Sequence, residues 1–165
     1  MALGYALAHD GHFDAAREVY ARLRAVHAGE PGEHIFVHQL GMVERLAGNH
    51  RAALRLFTEE RVLIESLPEA ERPFKRAVSG YEVGVNLLAL GDVAAARAVL
   101  ADALADAGSA DDPMTLGCVH RALGDLAARE GELDATRREY DLAGAAFLKA
   151  GDERAAAEVQ ARLRT

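Results

Sequence analysis

Apolar, small and polar positions recur along this chain in a fixed order. A Leu or Val precedes a glycine four times, at Leu3-Gly4, Leu40-Gly41, Val83-Gly84 and Leu123-Gly124, and a second glycine follows seven residues later, at Gly11, Gly48, Gly91 and Gly131. Twelve residues after each first glycine stands Ala16, Ala53, Ala96 or Thr136, and sixteen after stands Tyr20, Phe57, Leu100 or Tyr140. The first glycines lie 37, 43 and 40 residues apart, so the inner spacing is constant while the outer connection varies in length. Self-similarity at such a period is the signature of a repeat architecture.

The pattern predicts helix pairs. Each second glycine closes an apolar-periodic run and suits the left-handed residue that ends a helix. Asn49 and Asp92 are placed to accept from the first free N–H groups of the next helix, and Asp14 and Asp134 put negative charge in its first turn. The longer connections carry Pro31, Pro68, Pro73 and Pro113, with Asp112-Pro113 reading as an N-cap followed by proline at the first helical position. Four units of helix, tight turn and helix are predicted over 1–30, 31–68, 69–110 and 111–150. Gly151-Asp152 repeats the turn signal, and 152–165 is predicted to be a capping helix. It would bury Ala156, Val159 and Leu163 and solvate Glu153, Arg154, Glu158 and Arg162. A glycine in the first helix and an alanine in the second let two antiparallel helices cross closely. The bulky residue four positions on is expected to fill the next gap between helices. One hairpin cannot bury its faces alone, so neighbours must stack.

The order Leu-Gly, Gly-Asp/Asn, Ala, Tyr/Phe resembles the tetratricopeptide repeat over almost the whole chain. The longer units resemble its extended variety in bacterial regulators and kinesin light chains, the usual period being about 34 residues. The chain differs from that pattern in having no tryptophan, in Val83 and Leu100 in the third unit, and in Thr136 in the fourth. The resemblance implies an all-α fold, a right-handed superhelix of antiparallel helix pairs (an α-solenoid) forming a single domain over 1–165. It further implies a non-catalytic scaffold that binds a peptide or helix in a concave groove, or else a sensor or oligomerisation segment of a bacterial transcriptional or signalling regulator.

Composition narrows the classes further. Half the residues are hydrophobic but only 5% are aromatic, the excess being the helix formers Ala and Leu. A net charge of −7 disfavours direct nucleic-acid binding, which depends on Lys and Arg releasing counterions. No apolar run approaches the roughly 18 residues that span a bilayer. The opening Met1-Ala2-Leu3-Gly4 lacks the basic start of a signal peptide, so a cytoplasmic protein without a membrane partner is expected. A lone Cys118 excludes an internal disulfide framework.

In the family the first helices line the groove, and a spacing of four gathers one face. That face is Tyr5 and His9, then His38, Met42 and Arg45, then Tyr81, Val85 and Leu88, then Arg121, Asp125 and Arg129. Such a surface suits a protein or peptide partner with apolar anchors. Val85 and Leu88 read equally well as packing residues, and the Arg121, Asp125, Arg129 ladder as a solvated network. The edge at Leu3, Leu7 and Phe13 points to a homodimer through the short first unit. His34 and His38 share an i, i+4 face without a third ligand, so no metal is expected. Cys118, near a helix start, is expected to be a buried thiol. Glu59-Glu60 and Asp111-Asp112 lack a convergent pocket, and no glycine loop suits a phosphate. No enzyme activity and no cofactor are expected.

Overall fold

The computed structural model describes residues 2–163, and within them the chain is all-α, a helix-pair repeat of the solenoid class. In chain order the helices are α1 (Ala2–His9), α2 (Phe13–Val26), α3 (Glu33–Leu46), α4 (His50–Ile64), α5 (Arg72–Leu90), α6 (Val93–Ser109), α7 (Pro113–Glu130), α8 (Leu133–Lys149) and α9 (Glu153–Arg162), with a 3-10 turn at Glu69–Glu71. They gather into two compact units, one ending at Arg72 and the other beginning at Pro73.

Turns close as their residues dictate. Gly131 ends α7 at φ 76°, a conformation that costs glycine little because it has no Cβ, and Glu132 N–H then reaches back to the Ala127 carbonyl at 3.0 Å. Gly11, Gly48, Gly91 and Gly151 repeat this conformation. Asp92, Asp112 and Asp152 accept from Ala95, Met114 and Ala155 N–H at 3.1, 3.2 and 2.9 Å. Asn49 does not cap α4. Its amide instead donates to Glu44 at 2.8 Å, a charge-assisted bond that outcompetes a neutral cap.

Within each pair the register follows from that turn. Reversal around the second glycine brings the residue sixteen positions on level with the first glycine. The rings of Tyr20, Phe57 and Tyr140 and the Leu100 side chain therefore occupy the space where Gly4, Gly41, Gly124 and Gly84 would carry a Cβ. This corrects the expectation that the bulky residue fills the next gap. It closes its own pair, while Ala16, Ala53 and Ala96 are fully buried. Thr136 is only half-buried and turns its hydroxyl to the Glu132 carbonyl at 2.9 Å.

A fifth pairing escaped the sequence reading. Gly144 and Gly151 are also seven apart, with Ala156 twelve and Gln160 sixteen residues after Gly144, and a Cβ on Gly144 would meet Gln160 Nε2 at 3.3 Å. Thus α8 is both the second helix of one pair and the first of another. Ala143 and Phe147 of α8 pack with Ala156 and Val159 of α9, and Leu163 joins from just beyond it.

Two further cores hold the pairs together. In the first unit Ala8, Ala16, Tyr20, Phe36 and Val43 cluster, with Phe13 and Leu40 against them. In the second, Leu88, Ala96, Leu100, Val119 and Leu126 do the same.

Candidate functional site

In the first unit, α1 and α3 bring together four of the five residues expected there. Tyr5, more than half exposed, lies with its ring centroid 4.2 Å from that of His9 on the same helix. Across from them His38 and Met42 of α3 complete a small pocket of about 90 Å³, floored by Ala8, Tyr20 and Val43. Arg45 is not part of its lining and stands one turn on, with Nη2 3.8 Å from Met42 Sδ.

One polar group of this pocket is held from α4. Glu60 of α4 is almost fully buried, and His38 Nδ1 donates to its carboxylate at 3.0 Å. Sequence spacing within one helix could not show that partner. His34, the other imidazole of the i, i+4 pair, is buried and donates from Nδ1 to the Pro31 carbonyl at 2.8 Å, so the two rings serve different partners. Among the described residues no group of three His, Cys, Asp or Glu side chains stands close enough to hold a metal ion.

In the second unit, α5 and α7 carry the remaining positions. The Arg121 guanidinium donates to the Tyr81 hydroxyl at 3.2 Å and lies 5.5 Å from the centre of the Phe147 ring. Burial pushes the Tyr81 hydroxyl above its ordinary pKa. Leu88 is buried in the core and Val85 packs against it.

The ladder expected along α7 is replaced by contacts to other helices. Asp125 accepts from the Tyr140 hydroxyl at 2.7 Å and pairs with Arg162, and Arg129 donates to the Leu88 carbonyl. The reason is packing: α7 lies against neighbouring helices, whose polar groups come within hydrogen-bond reach of these side chains. Arg162, expected to be solvated, is drawn into this network. Cys118 is half-buried, and burial pushes its thiol up, the opposite of what a helix start would do.

This unit also carries a cleft outside the expected face. Phe74, Val78 and Tyr81 of α5 face Met114, Thr115 and Cys118 of α7 around about 370 Å³. Phe74 and Met114 are about two-fifths exposed. The i, i+4, i+7 run from Phe74 to Tyr81 was readable, but the predicted face started at Tyr81.

These features define a helix-pair repeat with small apolar pockets on its first helices. No protein-family model matches the sequence, and no curated protein matches it. Solved structures do match in fold. BtubC (BKLC) from P. vanneervenii superposes with a TM-score of 0.76 at 16% identity, covering 98% of this chain and 76% of that one. The Rap conjugation gene regulator of plasmid pLS20, solved in complex with the Phr* peptide, matches at a TM-score of 0.73 and 15% identity over 94% of this chain and 49% of the regulator. A Podosopora anserina kinesin light chain of nearly identical TPR-like repeats matches at 0.59 and 16% identity over 98% and 90%. The fold is therefore the tetratricopeptide-like one.

Proposed function

We propose that this chain is a non-catalytic protein-interaction scaffold that binds a peptide or short helix on the faces of its first helices. The observation that supports it most is the pocket between α1 and α3, lined by Tyr5, His9, His38 and Met42. Its volume of about 90 Å³ suits a single apolar side chain of the partner. In the second unit the cleft at Phe74, Tyr81 and Met114 offers an apolar site of its own, flanked by Arg121. That the similarly folded Rap regulator was solved with a peptide supports the same reading. It also supports a second one, a sensor segment of a regulator.

The test fills the pocket without changing charge. Ala8 is buried in its floor, and Ala8→Leu occupies the space. Peptides selected by display on the wild type are expected to weaken at least tenfold on the Ala8→Leu protein while its circular dichroism and melting remain those of a folded chain. Selected peptides that bind both proteins equally would refute the α1–α3 site.

A further inference from the structure

Met42 supplies a thioether to the wall of the α1–α3 pocket, where it is half-buried beside Val43 and Leu46. A thioether is soft, flexible and only a weak acceptor, so it serves there as apolar surface. It also stands against a cation. Arg45, one turn on along α3, donates from Nη2 to the Met42 sulfur at 3.8 Å. Met114, in the cleft between α5 and α7, is placed otherwise. Phe74, Val78 and Tyr81 line that cleft with it, and among the described residues nothing donates to its sulfur.

The two methionines therefore answer differently to oxidation by a peroxide. The sulfur lone pair attacks one oxygen of hydrogen peroxide, an S–O bond forms, and the O–O bond breaks. The other oxygen leaves as water, taking up the proton of the transferred one, so that the sulfur is oxidised and the peroxide reduced by the same electron pair. The product is a polar, chiral sulfoxide in place of an apolar side chain. In an apolar wall its oxygen would lose hydration without a replacement partner. At Met42 the guanidinium already reaches the sulfur, and its bond to the new oxygen is charge-assisted. The oxidised side chain is thus accommodated by the fold, while the pocket exchanges apolar wall for a dipole and draws Arg45 towards it.

We propose that Met42 is an oxidation switch on the α1–α3 pocket. As the thioether it lets the pocket take the partner's apolar side chain, and as the sulfoxide, held by Arg45, it releases that side chain. The proposal rests on the reading of this pocket as the binding site. The change is reversible, because methionine sulfoxide reductases restore the thioether, one enzyme for each epimer.

The test uses the full chain and display-selected peptides that Ala8→Leu weakens, which marks them as pocket ligands. The protein is treated with hydrogen peroxide, cleared with catalase and mapped by mass spectrometry for oxygen gained at each methionine. It is then titrated with the fluorescein-labelled peptide by anisotropy. Affinity is expected to fall at least tenfold as Met42 becomes the sulfoxide, to ignore the oxidation of Met114, and to return after treatment with the reductases, while circular dichroism stays that of the folded chain. Met42→Leu preserves an apolar side chain of similar volume and should bind equally before and after peroxide. It retains Met114 and Cys118, so its resistance assigns the loss to Met42. Met42→Gln, which carries an oxygen acceptor permanently, should bind at least tenfold more weakly without peroxide. Four results overturn the switch and leave the pocket standing: a Met42 that stays reduced while Met114 oxidises, full affinity with Met42 oxidised, a loss that Met42→Leu shares, or a loss that accompanies unfolding. Peptides indifferent to Ala8→Leu remove the pocket and the switch together.

Discussion

Replacing Gly41 by alanine separates two physical effects that oppose each other. Alanine in a helix interior is favoured over glycine by about 1 kcal/mol. The new Cβ would lie 2.7 and 2.8 Å from Cε1 and Cζ of Phe57, about 1 Å inside the ordinary carbon–carbon contact, and Phe57 is fully buried with nowhere to retreat. Overpacking of this kind costs about 1–3 kcal/mol, and a shortfall against two ring atoms belongs at the upper end, so a net loss of about 2 kcal/mol is expected. Gly144→Ala is the internal control. Its Cβ would meet only the mobile end of Gln160 at 3.3 Å, so the helix preference prevails and stability rises by up to about 1 kcal/mol. Urea and thermal denaturation followed by circular dichroism read both, and each kcal/mol shifts the melting temperature by roughly 2–4 °C. Phe57→Ala alone should cost about 3–5 kcal/mol and markedly less in the Gly41→Ala background, where the added methyl occupies part of the cavity. If Gly41→Ala stabilises the protein as much as Gly144→Ala does, or if the two Gly41 and Phe57 changes simply add, the ring-on-glycine account of the helix pairs is wrong.

Two further outcomes follow from charge and burial. Hydrogen bonds from Arg17 hold the Glu44 carboxyl below the usual carboxylate range. A folded pKa depressed in this way contributes stability that is present above the unfolded value of about 4.3 and lost as pH falls through the folded value. Arg17→Met should therefore flatten the acid limb of the stability curve below about pH 4.3 while costing under about 1 kcal/mol near neutrality, as partly exposed pairs do; an unchanged acid limb would refute the pairing. Burial raises the Cys118 thiol, so its alkylation by iodoacetamide at pH 8 should be slow in the native protein and fast in urea, and equal rates in the two would show the thiol exposed.

The backbone plan was legible because it is written in local chemistry. Glycines that need a left-handed turn, prolines at connections and the seven-residue interval are all read within one helix pair, and Gly11, Gly48, Gly91, Gly131 and Gly151 do stand at left-handed turns between helices. The fifth interval, Gly144 to Gly151, was overlooked because Ala143 replaces the usual Leu or Val before the first glycine and Gln160 replaces the ring. Side-chain partners were less legible, since they join helices that the sequence alone does not bring together. His38 meets Glu60 twenty-two residues away, and Asp125 meets Arg162 thirty-seven away. Spacing of four along α7 suggested a ladder, whereas desolvated neighbours on other helices drew each charge away. Of the residues expected on that face, Tyr5, His9, His38 and Met42 meet at one pocket while Arg45 stands outside it, and those of α5 and α7 are shared between pairing, core and surface.

The interval of sixteen residues between each glycine and the side chain that seats on it also bears on how the chain reaches this structure. Closing a loop costs entropy that grows with its length, and folding slows when native contacts are far apart along the sequence. Here the side chains that seat on Gly4, Gly41, Gly84 and Gly124 all come from just across one turn, so the loop closed within a pair is short. Contacts such as Arg17 to Glu44 or Arg97 to Glu130 then join pairs already formed. In such a stack folding can begin at any pair and spread to the neighbours whose faces it needs.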